Sequence, residues 1–218
     1  MAPAAGIRQA LGHTMGVMRF LVHPESLLAD WAELYRAYVS GVDHAAWPTR
    51  IEVDGHLLIV RRQNSDSGKL NVACPVPGFG RPMVTTASLP EREQPYVLAV
   101  ELARGKIVQV RNQFAFWHSA GMSIPQEFLA LHREAHRLLG QAVSVQDDPQ
   151  NASEISMRAL SAEFGAAEIL TRSYTEQRLE MRHRQYPQLP TILGCSLGDS
   201  VFSPQQEAQF LEAFHGAA

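Results

Sequence analysis

Cysteine is scarce in this chain of 218 residues: Cys74 and Cys195 are the only two, and they lie far apart in the sequence. Neither belongs to a CxxC pair or has a histidine at metal-ligand spacing, so the sequence predicts no zinc site. Two cysteines also do not make the disulfide framework of a small secreted domain. We therefore expect both thiols to pack as small hydrophobic side chains.

The sequence also lacks an excess of positive charge. Its 19 lysine and arginine residues are outnumbered by 22 aspartate and glutamate residues, which gives a formal net charge of -3. Nucleic-acid binding rests on basic patches that neutralise phosphates, and no basic run is present here. Nucleic acid is therefore not an expected partner.

Long apolar runs are missing as well. No stretch reaches the roughly 20 apolar residues that a membrane-spanning helix needs, so no membrane partner is predicted. The N-terminal residues lack the apolar core and cleavage site of a signal peptide, which leaves the cytoplasm as the default location. We expect residues 1–16 to be a disordered leader, with Met18 as an alternative start of the protein.

What the chain does contain is enough apolar sequence, 45% of its residues, for a substantial core. Short β-branched runs separated by turn residues predict a β-rich module over residues 17–121. Asp54-Gly55 between two such runs is the strongest hairpin signal. A helix is predicted between Ser26 and Gly41. The predicted strands are Met18–Val22, Arg50–Val53, His56–Arg62, Leu70–Cys74 and Pro82–Ser88.

The segment Glu91–Trp117 is expected to organise this module. Over Tyr96–Ala103 the side chains alternate, and both faces are mostly apolar, which predicts a central strand covered on both sides. Farther on, apolar residues recur every three or four positions, which favours a helix over 106–117. The alternative is a hairpin turn at Arg104-Gly105 and a returning strand, which the β-branched residues there would favour.

Three charged residues, Glu101, Arg104 and Arg111, interrupt this apolar segment. A charge in such a place needs a partner, so we expect structural ion pairing that fixes the junction between strand and helix. The alternative role for Glu101, a catalytic acid, lacks a second carboxylate at a motif-like spacing.

The pattern becomes helical in residues 122–186. Capping residues begin one helix near Pro125 and a second at Asp148-Pro149, which predicts a long helical hairpin. Residues 187–218 are expected to form a βα unit whose strand, Thr191–Leu197, has no neighbour. The predicted fold class is thus α+β, with a β-sandwich or jelly-roll-like module, a helical hairpin and an orphan βα unit.

Two histidines of the hairpin, His132 and His136, have the four-residue spacing that can place two imidazoles on one metal ion. The local sequence is H-R-E-A-H, whereas zincins have H-E-x-x-H. The residues between and beside the histidines are mostly charged. We therefore predict a solvated helix face and no metal site.

Several motifs resemble those of one known family. They are PTRIEV, PVPGFG, TASLPEREQPY, ELARGK and RNQFAFW in the β-rich part, and LGCSLGDSVF and EAQFLEAFHGAA near the end. These look like the N-terminal region, first barrel strand and first barrel helix of bacterial xylanase-like proteins of glycoside hydrolase family 10. The resemblance implies that residues 187–218 are the start of a truncated barrel, and that the parent activity is hydrolysis of O-glycosyl bonds in polysaccharide.

The same resemblance bears on catalysis. In that family the two catalytic glutamates lie on later barrel strands, so no residue of this sequence inherits either role. We expect no glycosidase activity from the chain alone, and no cofactor. A downstream barrel domain is an expected partner if the sequence is a fragment.

The leading hypothesis is a module that binds or positions a polysaccharide or oligosaccharide. Sugar rings stack on aromatic faces, and the candidates on loops or strand ends are Trp47, Phe79, Tyr96 and Trp117. The alternative for each is core packing. A competing hypothesis is a protein-interaction or oligomerisation module, whose helical hairpin docks onto a partner or a second copy of the chain and which binds no sugar. A third, an enzyme, lacks a nucleophile elbow, a metal cluster and a carboxylate pair.

Overall fold

The computed structural model describes residues 16–187, 192–196, 202–214 and 216–217. Their contacts divide the chain into two compact units, Met1–Tyr174 and Thr175–Ala218. The predicted α+β class is confirmed by two four-stranded sheets and a helical hairpin. The predicted leader lies outside the described residues, except Gly16. Among the described helices, none is long and apolar enough to cross a membrane.

The first sheet is mixed, because one of its strand pairs is parallel. Its strands β1 (Gly16–Leu21) and β5 (Leu57–Arg62) pair antiparallel, with Phe20 opposite Leu58, and each alternates in burial as a strand with one covered face does. The predicted Asp54-Gly55 hairpin is confirmed, since Gly55 supplies the positive φ of 55° at its turn. In spatial order the strands are β4 (Thr49–Asp54), β5 (Leu57–Arg62), β1 (Gly16–Leu21) and β8 (Tyr96–Val97).

The second sheet is antiparallel throughout. In spatial order its strands are β3 (Ala46–Trp47), β2 (Tyr38–Ser40), β6 (Lys69–Ala73) and β7 (Met83–Thr85). Buried residues from this sheet, Leu70 and Val72, belong to the same hydrophobic cluster as Phe20 and Leu58 of the first sheet. The two sheets therefore share one core.

The predicted helix between Ser26 and Gly41 is wrong. This stretch forms two short 3-10 helices, Glu25–Asp30 and Ala32–Arg36, and then enters β2. Trp31 lies between them, 2% exposed, and its indole N–H donates to the carbonyl oxygen of Ala73 at 2.6 Å. The apolar periodicity here reflects a segment held by a buried tryptophan, which interrupts any continuous helix.

The predicted strand over Tyr96–Ala103 is also wrong. Only β8 is extended there, and it pairs in parallel with β1, while helix α1 begins at Leu98 and runs to Ser119. Every residue of α1 from Leu98 to Ala103 is buried. A segment that is apolar on all sides can therefore be the buried first turns of a helix as well as a strand covered on both faces. The predicted helix over 106–117 is confirmed as the continuation of α1.

The predicted helical hairpin is present as α2 (Gln126–Ser144) and α3 (Pro149–Gln185). A four-residue connection, 145–148, joins the two helices. Val110 of α1, Phe128 of α2, and Ala166 and Leu170 of α3 form a common buried cluster. The three helices thus pack together in the first unit.

The second unit contains the predicted βα unit in a different form. Helix α4 (Pro204–Ala213) begins at a capping box formed by Ser203 and Gln206. Of the predicted strand Thr191–Leu197, residues Gly194–Cys195 form β9, while Thr191 and Leu197 lie outside the described residues. Strand β9 pairs in parallel with β10 (Gly216–Ala217), so the expectation that it has no neighbour is wrong.

Candidate ligand-binding groove

A polar groove of about 560 Å³ lies between the second sheet and α1. Its sheet side is formed by β6, β7 and the two loops next to them, and its other side by one face of the helix. The lining residues on the sheet side are His44, Lys69, Asn71, Thr85, Thr86, Ala87 and Ser88, and those on the helix are Gly105, Val108, Gln109, Asn112 and Gln113.

Gly105 allows the helix to reach the sheet. A Cβ atom at this position would collide with the carbonyl oxygen of Thr85 and lie 2.8 Å from the Cα atom of Thr86. Glycine is therefore required where the two backbones meet. Gln109, Asn112 and Gln113 follow four, seven and eight residues later, so they share the helix face of Gly105 and line the groove.

The sheet side of the groove is held by a buried hydrogen-bond network around Asn71, which is 7% exposed. Its side-chain amide donates to Ser40 Oγ at 3.0 Å and to the Lys69 carbonyl at 3.1 Å. Its Oδ1 accepts a hydrogen bond from the Thr85 hydroxyl at 2.8 Å. Because the donors and acceptors of Asn71 are both occupied, this wall is rigid and already arranged before any ligand arrives.

Other polar side chains of the groove are open. Within the described part of the chain, the side chains of Lys69, Ser88, Asn112 and Gln113 have no protein hydrogen-bond partner. Gln109 accepts a hydrogen bond from Lys106 Nζ at 3.2 Å, which leaves its amide N–H groups free. The groove can thus offer several donors and acceptors to a polar ligand.

His44 occupies an unusual backbone conformation at the rim of the groove. It lies in the turn between β2 and β3 with φ of 62°, in the left-handed region. The turn is closed by the His44 N–H donating to the Gly41 carbonyl and the Gly41 N–H donating to the Ala45 carbonyl, both at 3.2 Å. Non-glycine residues rarely take this conformation, although histidine does so more often than most.

A separate constellation of titratable residues lies between the helices. His132 of α2 is 8% exposed and Glu163 of α3 is fully buried. The Nδ1 atom of His132 is 2.9 and 3.1 Å from the two carboxylate oxygens of Glu163. Phe128 stacks on the imidazole, and His136 meets it edge-on at a centroid distance of 4.6 Å. The predicted solvated face is therefore wrong for His132, whereas His136 is exposed.

Burial dominates the electrostatics of this constellation. Burial raises the pKa of Glu163 although its hydrogen bond with His132 opposes the shift. It also lowers the pKa of Lys106, against the attraction of the Glu163 charge. Among the described residues, no group of three or more His, Cys, Asp or Glu side chains could hold a metal ion. The residues of the constellation do not line the groove, so we assign them to helix packing.

Of the three residues predicted to form ion pairs, the structure joins two. Glu101, 5% exposed, accepts a hydrogen bond from Arg104 Nε at 3.1 Å, and both residues lie on α1. Burial raises the pKa of Glu101 in spite of this arginine. Arg111 is exposed, two turns farther along the helix, and does not join them.

The four aromatic residues predicted to contact sugar lie in different places, each against its own neighbours, and none lines the groove. Their role as sugar contacts stays a prediction. Trp47 shares the β2–β3 hairpin with His44, which lines the groove. The nearest aromatic or cationic partners are Arg62 for Trp47, Phe164 for Phe79, Phe20 and Arg92 for Tyr96, and Tyr174 for Trp117.

Sequence reasoning missed the groove. The available signal was a stripe of uncharged polar residues, Gln109, Asn112 and Gln113, at helical spacing from Gly105. A strand over residues 96–103 ends just before Gly105, so this prediction places the glycine at a junction and leaves it off the helix face that carries the stripe. The opposite wall comes from residues 69–88, which no local pattern links to α1.

A scan against protein-family models, a search of the curated proteins and a search of the solved structures found no match for this chain. The resemblance to family 10 glycoside hydrolases therefore stays a prediction.

Proposed function

We propose that this chain is a non-catalytic module that binds carbohydrate, and that the ligand lies in the groove between the second sheet and α1. One observation carries this proposal: the groove of about 560 Å³ is lined on two sides by amide and hydroxyl groups. Its volume is within the range of about 300 to 1,000 Å³ that is typical of small-molecule sites.

The chemistry of the lining suits a ligand rich in hydroxyl groups. Each amide of Asn112 and Gln113 can donate and accept hydrogen bonds, as can the hydroxyl of Ser88, and each sugar hydroxyl needs both kinds of partner. The wall around Asn71 is already fixed by its own network. A preformed wall lowers the entropy cost of binding.

The lining supports binding rather than hydrolysis. Retaining glycosidases need two carboxyl groups about 5 Å apart on either side of the glycosidic bond. None of the described residues that line the groove is an aspartate or a glutamate. The groove therefore supports the accessory role implied by the family resemblance.

The exposed apolar side chains of the second unit favour the alternative, a protein-interaction module without sugar binding. Leu179, Met181, Tyr186, Ile192, Leu193 and Leu211 are each more than 40% exposed. Exposed large apolar side chains are typical of docking faces when they adjoin one another. The test of the sugar hypothesis must therefore also report self-association.

The test is titration of the isotope-labelled protein with neutral xylo-oligosaccharides and cello-oligosaccharides, followed by amide chemical shifts. We expect shifts at groove residues, and at least about a tenfold loss of affinity in the double variant Asn112→Ala/Gln113→Ala, since each lost hydrogen bond costs roughly 1 kcal/mol. The matched control is Gln150→Ala/Asn151→Ala, which removes an exposed Gln and Asn from α3.

Two results would overturn the proposal. One is an absence of binding at millimolar sugar, and the other is an equal loss of affinity in the control variant. Light scattering of the same samples measures the oligomeric state. A concentration-dependent dimer that binds no sugar would favour the interaction module instead.

A further inference from the structure

The groove has a charge pattern that its proposed function does not require. Of its twelve lining residues, only His44 and Lys69 can carry a charge, and both lie on the sheet side. The whole chain has a net charge of -3, so a lining with basic groups and no acidic group departs from the average. Such a lining attracts an anion.

The placement of lysine in the chain strengthens this pattern. The sequence contains seventeen arginines but only two lysines, Lys69 and Lys106. Lys69 lines the groove, whereas Lys106 does not and its ammonium lies over the Phe164 ring. Lys69 has no ion pair with a carboxylate anywhere in the described ranges, so its charge is available. An ammonium group is a compact point charge suited to carboxylate or phosphate oxygens.

The backbone conformation of His44 also supports an anion-binding role for the sheet side of the groove. Its φ of 62° favours glycine or asparagine, and an imidazole there is held at the groove rim at some conformational cost. Strained positions of this kind often coincide with binding sites. His44 and Lys69 thus bring two basic groups to the same side of the groove from two different elements.

We propose that the groove selects an anionic sugar, whose carboxylate or phosphate group lies against Lys69 and His44 while its hydroxyl groups lie against Asn112 and Gln113. This inference rests on the proposed function and narrows it. The anion sets the orientation of the ligand, because only one side of the groove is basic. The helix side then contacts the neutral part of the sugar.

The experiment is isothermal titration of the full chain at low salt with three sugar probes, a neutral xylo-oligosaccharide, the same oligosaccharide carrying one glucuronate, and a hexose phosphate. Inorganic phosphate is titrated as the sugar-free control. We expect at least one anionic probe to bind about tenfold more tightly than the neutral one, and this advantage to shrink in 0.5 M salt because exposed charges are screened. The two anionic probes show whether the group is a carboxylate or a phosphate.

Variants locate the effect. Lys69→Met keeps the apolar stem of the side chain, and His44→Asn suits the left-handed backbone, so neither change strains the fold. Each is expected to reduce the tenfold preference to about threefold or less. The control Arg50→Gln removes an exposed cation from the first sheet and should leave the preference intact.

The outcomes separate this inference from the function on which it rests. Equal affinity for the neutral and anionic sugars would overturn the anion preference and leave the carbohydrate proposal standing. Binding of no sugar would overturn both. Binding of inorganic phosphate as tightly as hexose phosphate would show that the sugar part is not recognised, and would also overturn the inference.

Discussion

The two compact units of this chain differ in what they bury. In Met1–Tyr174 two sheets and three helices share buried clusters, with side chains such as Phe20 and Leu160 fully enclosed. In Thr175–Ala218 no described residue is buried, and Leu211 of α4 is 67% exposed. Yet α4 has the most complete cap of the described helices, a capping box with a proline in its first turn.

The contrast separates two sources of helical structure. Local capping specifies where α4 begins, but capping and propensity together supply little stability to a ten-residue helix. Helix α1 has no side-chain cap hydrogen bond, and its first six residues are instead buried among other elements. Tertiary burial is therefore the main stabilising contribution in the first unit, and local signals are the main one in the second.

The largest difference between the units should appear in thiol chemistry. Cys74 is 1% exposed, and burial raises the pKa of its thiol to about 12. Cys195 of β9 is half-buried. Because the thiolate is the reactive form, we expect alkylation at pH 8 to be at least about 1,000-fold slower at Cys74. Peptide mass spectrometry after timed labelling measures both rates.

In denaturant the two rates should converge, and Cys195→Ser should leave a native protein that hardly labels. Comparable labelling rates of both thiols in the native protein would show that the first unit does not shield its cysteine better than the second.

The next largest effect is expected at the buried pair that joins α2 and α3. His132→Ala leaves the Glu163 carboxylate fully buried without its hydrogen-bond donor. Removing one partner of such a pair typically lowers the free energy of unfolding by about 3 to 5 kcal/mol. Urea denaturation followed by tryptophan fluorescence measures the change.

The control is His136→Ala on the exposed side of α2, one turn away, for which we expect a loss below about 1 kcal/mol. If His132→Ala lowered the free energy of unfolding no more than the control does, the His132–Glu163 pair would not stabilise the packing of α2 on α3.

The smallest effect is expected at the other buried glutamate of the first unit. Glu101→Ala leaves Arg104, whose side chain is 39% exposed and can be hydrated where it stands. The change also removes the cost of burying the Glu101 carboxylate. We expect the free energy of unfolding to fall by about 1 kcal/mol, as for a partly exposed ion pair. The same denaturation experiment measures it.

The matched control is Glu134→Ala, which removes a carboxylate paired with an arginine three residues later on the solvent-facing side of α2, and which should lower the free energy of unfolding less than Glu101→Ala does. A loss at Glu101 as large as that at His132 would show that Arg104 has no access to water.

The parts of the fold that could be predicted are those with local signals. The Asp54-Gly55 turn, Pro125 before α2 and Asp148-Pro149 at the start of α3 act within a few positions, so the sequence predicts the first hairpin and the helical hairpin correctly. The junction of β8 and α1 had no such signal. Its residues are apolar on all sides, and the periods of a buried strand and a buried helix are then indistinguishable.

The candidate site was beyond local prediction for a different reason. The groove exists because Gly105 of α1 meets Thr85, the last residue of β7, and Thr86 just after it. No local pattern in either segment predicts this contact. Trp47 and Trp117 are sugar-contact candidates in the sequence because aromatic faces at loops and strand ends can stack on sugar rings. In the structure each packs on a neighbour, Arg62 and Tyr174 respectively, whereas the open polar groups lie elsewhere.

The contact at Gly105 also determines which residues of the groove can be substituted without altering its shape. Because two backbones in contact fix the gap between helix and sheet, the width of the groove does not depend on the side chains that line it. Asn112, Gln113 or Lys69 can therefore be exchanged while the frame stays in place. A fold with this arrangement can change the polar groups that its groove displays by a few surface substitutions, provided that the glycine is kept.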